Sequence, residues 1–78
     1  MEVGSEELAK IRNRIEPHLK REVNARYQSS AENIKIHSAK LDGRLLYVRG
    51  EISIKGLPKA FTMTLNIFSD KVLEMSGL

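Results

Sequence analysis

The stretch NIKIHSAKLDGRLLYVRGEISIKGLPKAFTMTLNIF, residues 33–68, decides the fold. Ile34 and Ile36 alternate with polar neighbours, as do Leu46, Val48, Ile52 and Ile54, and then Phe61, Met63, Leu65 and Ile67. A period of two marks β-strands, whose side chains point to opposite faces in turn. Two groups of chain breakers, Asp42-Gly43 and Gly56-Leu57-Pro58-Lys59, divide the stretch into three strands.

Parity then sets the register. A two-residue turn at Asp42-Gly43 places Ile36 opposite Arg49 and splits the apolar residues between both faces. A three-residue loop, Leu41-Asp42-Gly43 with Gly43 left-handed, places Ile36 opposite Val48 and gathers them on one face, so this register is predicted. A four-residue loop at Gly56-Leu57-Pro58-Lys59 pairs Ile54 with Phe61, Ile52 with Met63, Gly50 with Leu65 and Val48 with Ile67. Gly50 falls mid-strand on the apolar face, where a missing side chain permits close backbone approach. Beyond Ser69-Asp70, residues 71–76 predict a fourth strand containing a bulge, with Leu73 and Met75 in the core.

Upstream the period lengthens. Leu8, Ile11, Ile15, Leu19, Val23 and Tyr27 recur at steps of three or four, the stripe of an amphipathic helix from about Ser5 to Tyr27. Ser5 suits the N-cap, and Glu6 and Glu7 oppose the positive end of the helix dipole. Glu6–Lys10, Glu16–Lys20 and Glu22–Arg26 are spaced as i,i+4 ion pairs. Pro17 cannot donate to the Asn13 carbonyl and crowds that turn, yet the stripe keeps its phase across it. One bent helix is therefore predicted rather than two short ones. Residues 28–33 form a polar connection. The predicted fold class is α+β: a Pro-kinked N-terminal helix on one face of a four-stranded antiparallel meander, α-β-β-β-β, with residues 1–78 as one domain.

Composition agrees. Of 78 residues, 41% are hydrophobic and 29% charged, with 5 glycines and 2 prolines, which excludes a collagen-like or disordered chain. The absence of cysteine excludes disulfides and thiolate metal sites. No apolar run approaches the roughly 18 residues that a membrane span needs. Met1-Glu2 lacks the basic start of a signal peptide, so a cytoplasmic location is expected. The net charge of +3 is spread along the chain rather than gathered in a stripe, which fits solubility.

No motif for a known chemistry occurs. The two histidines, His18 beside Pro17 and His37 on a strand, fall in no triad, HExxH or phosphate-loop pattern, and His18 suits the boundary of the helix stripe. A non-enzymatic domain is expected; the pattern indicates no cofactor, metal, membrane partner or small-molecule substrate.

One helix covers only one face of the sheet, so the other is open to water or a partner. In the predicted register His37, Tyr47 and Phe68 lie side by side on that face, with Lys35 and Arg49 in the next row. The expected function is protein–protein interaction or homodimerisation, with Tyr47 and Phe68 as anchors and Arg49 at the rim. The alternative is a single-stranded RNA or DNA platform, with His37, Tyr47 and Phe68 stacking on bases and Lys35, Lys40, Arg44 and Arg49 on phosphates. Glu51 on the same face and the lack of an RNP-type motif count against it.

Overall fold

A computed structural model of the chain describes residues 4–78, except for the side chain of Ser5; the signal-peptide reading at Met1-Glu2 lies outside them. Helix α1 (Ser5–Tyr27) is followed by strands β1 (Ala31–Asp42), β2 (Leu45–Ile54), β3 (Leu57–Asn66) and β4 (Lys71–Ser76). The strands form one antiparallel sheet in the order β1-β2-β3-β4. The α-β-β-β-β meander is as the hydrophobic periods predict. No helix among the described residues is long and apolar enough to cross a membrane.

The helix begins at an extended Gly4, whose carbonyl accepts from the amides of Glu7 and Leu8, both at 3.1 Å. Gly4, not Ser5, is thus the N-cap. The helix ends on a left-handed Gln28, whose N–H donates to the Asn24 carbonyl at 2.9 Å. It runs unbroken through Pro17, which is exposed, as is Asn13. The carbonyl that Pro17 leaves without an intrahelical donor therefore lies on the wet side of the helix. Lys20 and Arg26 pair with Glu16 and Glu22 at 3.1 and 2.6 Å, while Lys10 pairs with Glu7, not Glu6, at 3.8 Å. The Lys20 ammonium holds the Glu16 carboxyl below its ordinary range.

Ile15, Leu19 and Val23 of the helix are fully buried against Ile34, Leu46, Val48, Ile52, Ile54, Phe61, Met63 and Leu65 of the sheet. Leu8, Ile11, Ile36 and Ile67 pack at the margin of this core. Every residue expected in the core from the helix and the first three strands is there, and so is Met75, but Leu73 is not. Ala31, Ala39, Leu41, Val72 and Leu78 join it.

The register differs from the expectation at both predicted loops. Gly43 is left-handed (φ 61°), but it opens a two-residue turn, Gly43-Arg44, that leaves Asp42 opposite Leu45. Continued regularly, that pairing would turn Ile36 outwards. Two bulges in β1, between Ile36 and Ser38 and between Glu32 and Lys35, each absorb a residue and restore the facing. Ile36 accordingly lies opposite Gly50, not Val48. The second turn is Lys55-Gly56, both at positive φ as a type I′ hairpin demands. It pairs Ile54 with Leu57, Gly50 with Phe61 and Val48 with Met63. The two-residue turn slides β3 by four residues from the expected pairing, an even step that keeps the apolar face intact. In β4 the bulge falls at Leu73, which is 57% exposed, and Val72 takes the inward place beside Met75.

Candidate interaction face

Five rows of side chains cover the face away from the helix. In order they are Asp42–Leu45–Asn66–Lys71, Lys40–Tyr47–Thr64–Glu74, Ser38–Arg49–Thr62–Ser76, Lys35–Glu51–Ala60 and Glu32–Ser53–Pro58. Four cations (Lys35, Lys40, Arg49, Lys71) are balanced by four carboxylates (Glu32, Asp42, Glu51, Glu74), and these charges come from β1, β2 and β4. The β3 column, Pro58, Ala60, Thr62, Thr64 and Asn66, has no charge. Tyr47 stands beside this neutral column, 39% exposed.

The expected row His37–Tyr47–Phe68 is not formed. Because β3 is shifted by four residues, Tyr47 faces Thr64, and Phe68 lies beyond the end of the strand. Phe68 is 78% exposed in the β3–β4 turn, with the Arg44 guanidinium 5.8 Å from its ring centre. The Asn66 carboxamide oxygen accepts from the amides of Phe68 and Ser69 at 3.0 and 3.2 Å, which fixes the turn. His37 belongs to a bulge, where its Nε2 lies 3.4 Å from Glu51 Oε2. Lys35 and Arg49 are on the open face as expected, but in separate rows: Lys35 faces Glu51, and Arg49 lies between Ser38 and Thr62.

Beside Arg49 the face sinks into a recess of about 210 Å³, lined by His37, Arg49, Gly50, Ala60, Phe61, Thr62, Ser76 and Gly77. Gly50 explains how strands can approach there. A Cβ at this position would sit 2.3 Å from the Lys35 carbonyl oxygen and 3.0 Å from the Phe61 ring. The hydroxyls of Thr62 and Ser76 are hydrogen-bonded across strands at 2.5 Å. Thr62, Thr64, Ala60 and Ser76 carry no functional signal in the sequence, since small residues on alternate positions describe any solvated strand.

A second polar cluster ties the helix to the β3–β4 turn. Asp70 Oδ1 lies 3.3 Å from Nε2 of His18, whose side chain is largely buried, and 3.6 Å from Arg14 Nε. Arg14 also donates to the Ile67 carbonyl. The His18 hydrogen bond, followed by the charges of His18 and Arg14, holds the Asp70 carboxyl below its ordinary range. His18 is a boundary residue, as its place in the stripe implies. Comparison with protein-family models, with curated proteins and with solved structures finds no match to this chain.

Proposed function

We propose that the protein is a non-enzymatic interaction module that self-associates through the open face of its sheet, a second copy being the occupant. The observation that carries this reading is the neutral β3 column with Tyr47 beside it, flanked by charges of both signs. Interfaces are depleted of charge at their centre and polar at their rim. A face with equal numbers of cations and carboxylates can meet its own copy about a two-fold axis with opposite charges in contact.

The sheet edges favour a face over an edge contact. β1 is long but bears two bulges, Lys35 and Lys40; β4 has six residues and a bulge. Such features discourage strand-to-strand pairing. Four strands about 4.8 Å apart, averaging about ten residues at roughly 3.4 Å per residue, offer an area of about 500–650 Å². Two copies would bury about 1,000–1,300 Å², the lower end for specific contacts, so a weak dimer is expected.

Balanced charge also supports this reading over a nucleic-acid platform. Single-strand binders need a net positive groove with several aromatics along it, whereas here Tyr47 is on β2 and Phe68 is in the β3–β4 turn.

Sedimentation equilibrium from about 10 µM to 1 mM tests the proposal, with a dissociation constant in the upper micromolar range expected. Tyr47→Ala should weaken the dimer at least tenfold, and Thr64→Lys, which places a charge in the neutral column, should do the same. A parent chain that stays monomeric to 1 mM overturns it. So does salt-sensitive binding of an oligonucleotide lost in Arg49→Ala and Lys35→Ala.

A further inference from the structure

We propose that the recess beside Arg49 is a binding site for a small monocarboxylate, either a free acid or the carboxyl end of a peptide. Three features of its lining point to this chemistry. Arg49 has no hydrogen-bond or ion-pair partner among the described residues, so its fork of donors is free for an anion. Thr62 and Ser76 hydrogen-bond to each other, and the pair retains one O–H to donate outwards. Ala60, Gly50 and Gly77 supply a small, uncharged lining for the body of the ligand.

The charge balance selects the kind of anion. The recess has one permanent cation, and Glu51 stands at its margin holding His37. A dianionic phosphate would meet that carboxylate with only one guanidinium to offset it, while a monoanion is matched one to one. Size selects the body. At about 210 Å³ the recess is smaller than the roughly 300 Å³ at which drug-sized sites begin, and suits a group like one amino-acid side chain. Arg49 also matters to the docking face, but carboxylate binding needs no second copy, so the two proposals can fail separately.

The test is an amide chemical-shift titration of the chain at a concentration where sedimentation shows it to be monomeric. The probes are benzoate, a dipeptide ending in a free-acid phenylalanine, and the same dipeptide amidated. For a ligand of about ten heavy atoms a dissociation constant on the order of 1–10 mM is expected. The shifts should centre on Gly50, Thr62, Ser76 and Gly77. Arg49→Gln should raise the constant at least tenfold, Arg49→Lys should lie between, and Arg21→Gln on the helix should leave it unchanged. The amide spectrum of each variant reports whether the fold persists. Shifts with benzoate alone support the proposal with a free acid as ligand; shifts with the free-acid dipeptide too, but not with its amide, extend it to chain ends. The proposal is overturned if 50 mM benzoate leaves those amides unmoved, if the amidated dipeptide binds equally well, if inorganic phosphate binds more tightly than benzoate, or if Arg49→Gln binds like the parent.

Discussion

Replacing Gly50 by alanine adds one methyl group at the most constrained point of the sheet. Position 50 faces the helix side, between Ile36 of β1 and Phe61 of β3. The new Cβ would sit 2.3 Å from the Lys35 carbonyl oxygen, over 1 Å inside ordinary contact, and 3.0 Å from the Phe61 ring. The ring can shift only within a packed core, for Phe61 is 2% exposed. The carbonyl can shift only if the bulged segment of β1 moves away from β2. Overpacking of this kind costs about 1–3 kcal/mol, and involvement of backbone places it towards the upper end, at about 2–3 kcal/mol. A chain of this size has a total stability of about 4–12 kcal/mol. The loss should therefore be plain in urea denaturation followed by circular dichroism, with a lowered midpoint and an unchanged slope, and should lower the melting temperature by about 10–20 °C. A Gly50→Ala protein within 0.5 kcal/mol of the parent would refute the close approach of β1 to β2, and with it the register at Ile36.

Two further outcomes are expected. Pro17→Ala restores a donor for the Asn13 carbonyl on the exposed side of the helix and should leave stability unchanged or raise it, by at most about 3 kcal/mol; a clear loss in thermal unfolding would show that the packing depends on the proline. Asp70 has a lowered pKa in the folded chain, so its contribution is complete above the ordinary aspartate pKa of about 4 and fades as the pH falls through the lower folded value. Asp70→Asn should then be less stable than the parent at pH 6, with the gap closing below about pH 4; a gap that stays constant down to pH 2 would show that the carboxylate is not the cause.

The hydrophobic period was enough to read the element order, the helix stripe and the core, because burial on one face constrains every second residue of a strand and every third or fourth of a helix. It could not fix the register. Parity is unchanged by an even shift, so a four-residue loop at Gly56-Leu57-Pro58-Lys59 and a two-residue turn at Lys55-Gly56 predict the same buried set. Between β1 and β2 a mismatch in parity can be taken up by the loop or inside a strand, and the chain takes it up inside β1. Asn33, at φ 52° in the bulge between Glu32 and Lys35, is a legible sign of one of these irregularities, since asparagine accepts the left-handed conformation more readily than most residues; the bulge at His37 has no such sign. The candidate site suffered most. Its membership depends on which residues share a row, and the shift that leaves the core unaltered moves Phe68 from beside Tyr47 into the β3–β4 turn.

The bulge at His37 links these matters. Dropping one residue from the ladder turns Ile36 inwards opposite Gly50 and leaves His37 and Ser38 both exposed on the edge strand. The inward step lets the Lys35 carbonyl approach Gly50, where no side chain obstructs it. The outward step brings His37 to Glu51 and to the rim of the recess that Arg49 lines. The same irregularity interrupts the edge of β1, which discourages pairing with another strand. One extra residue thus closes the core on one face, brings His37 to a recess on the other and interrupts the exposed edge of β1.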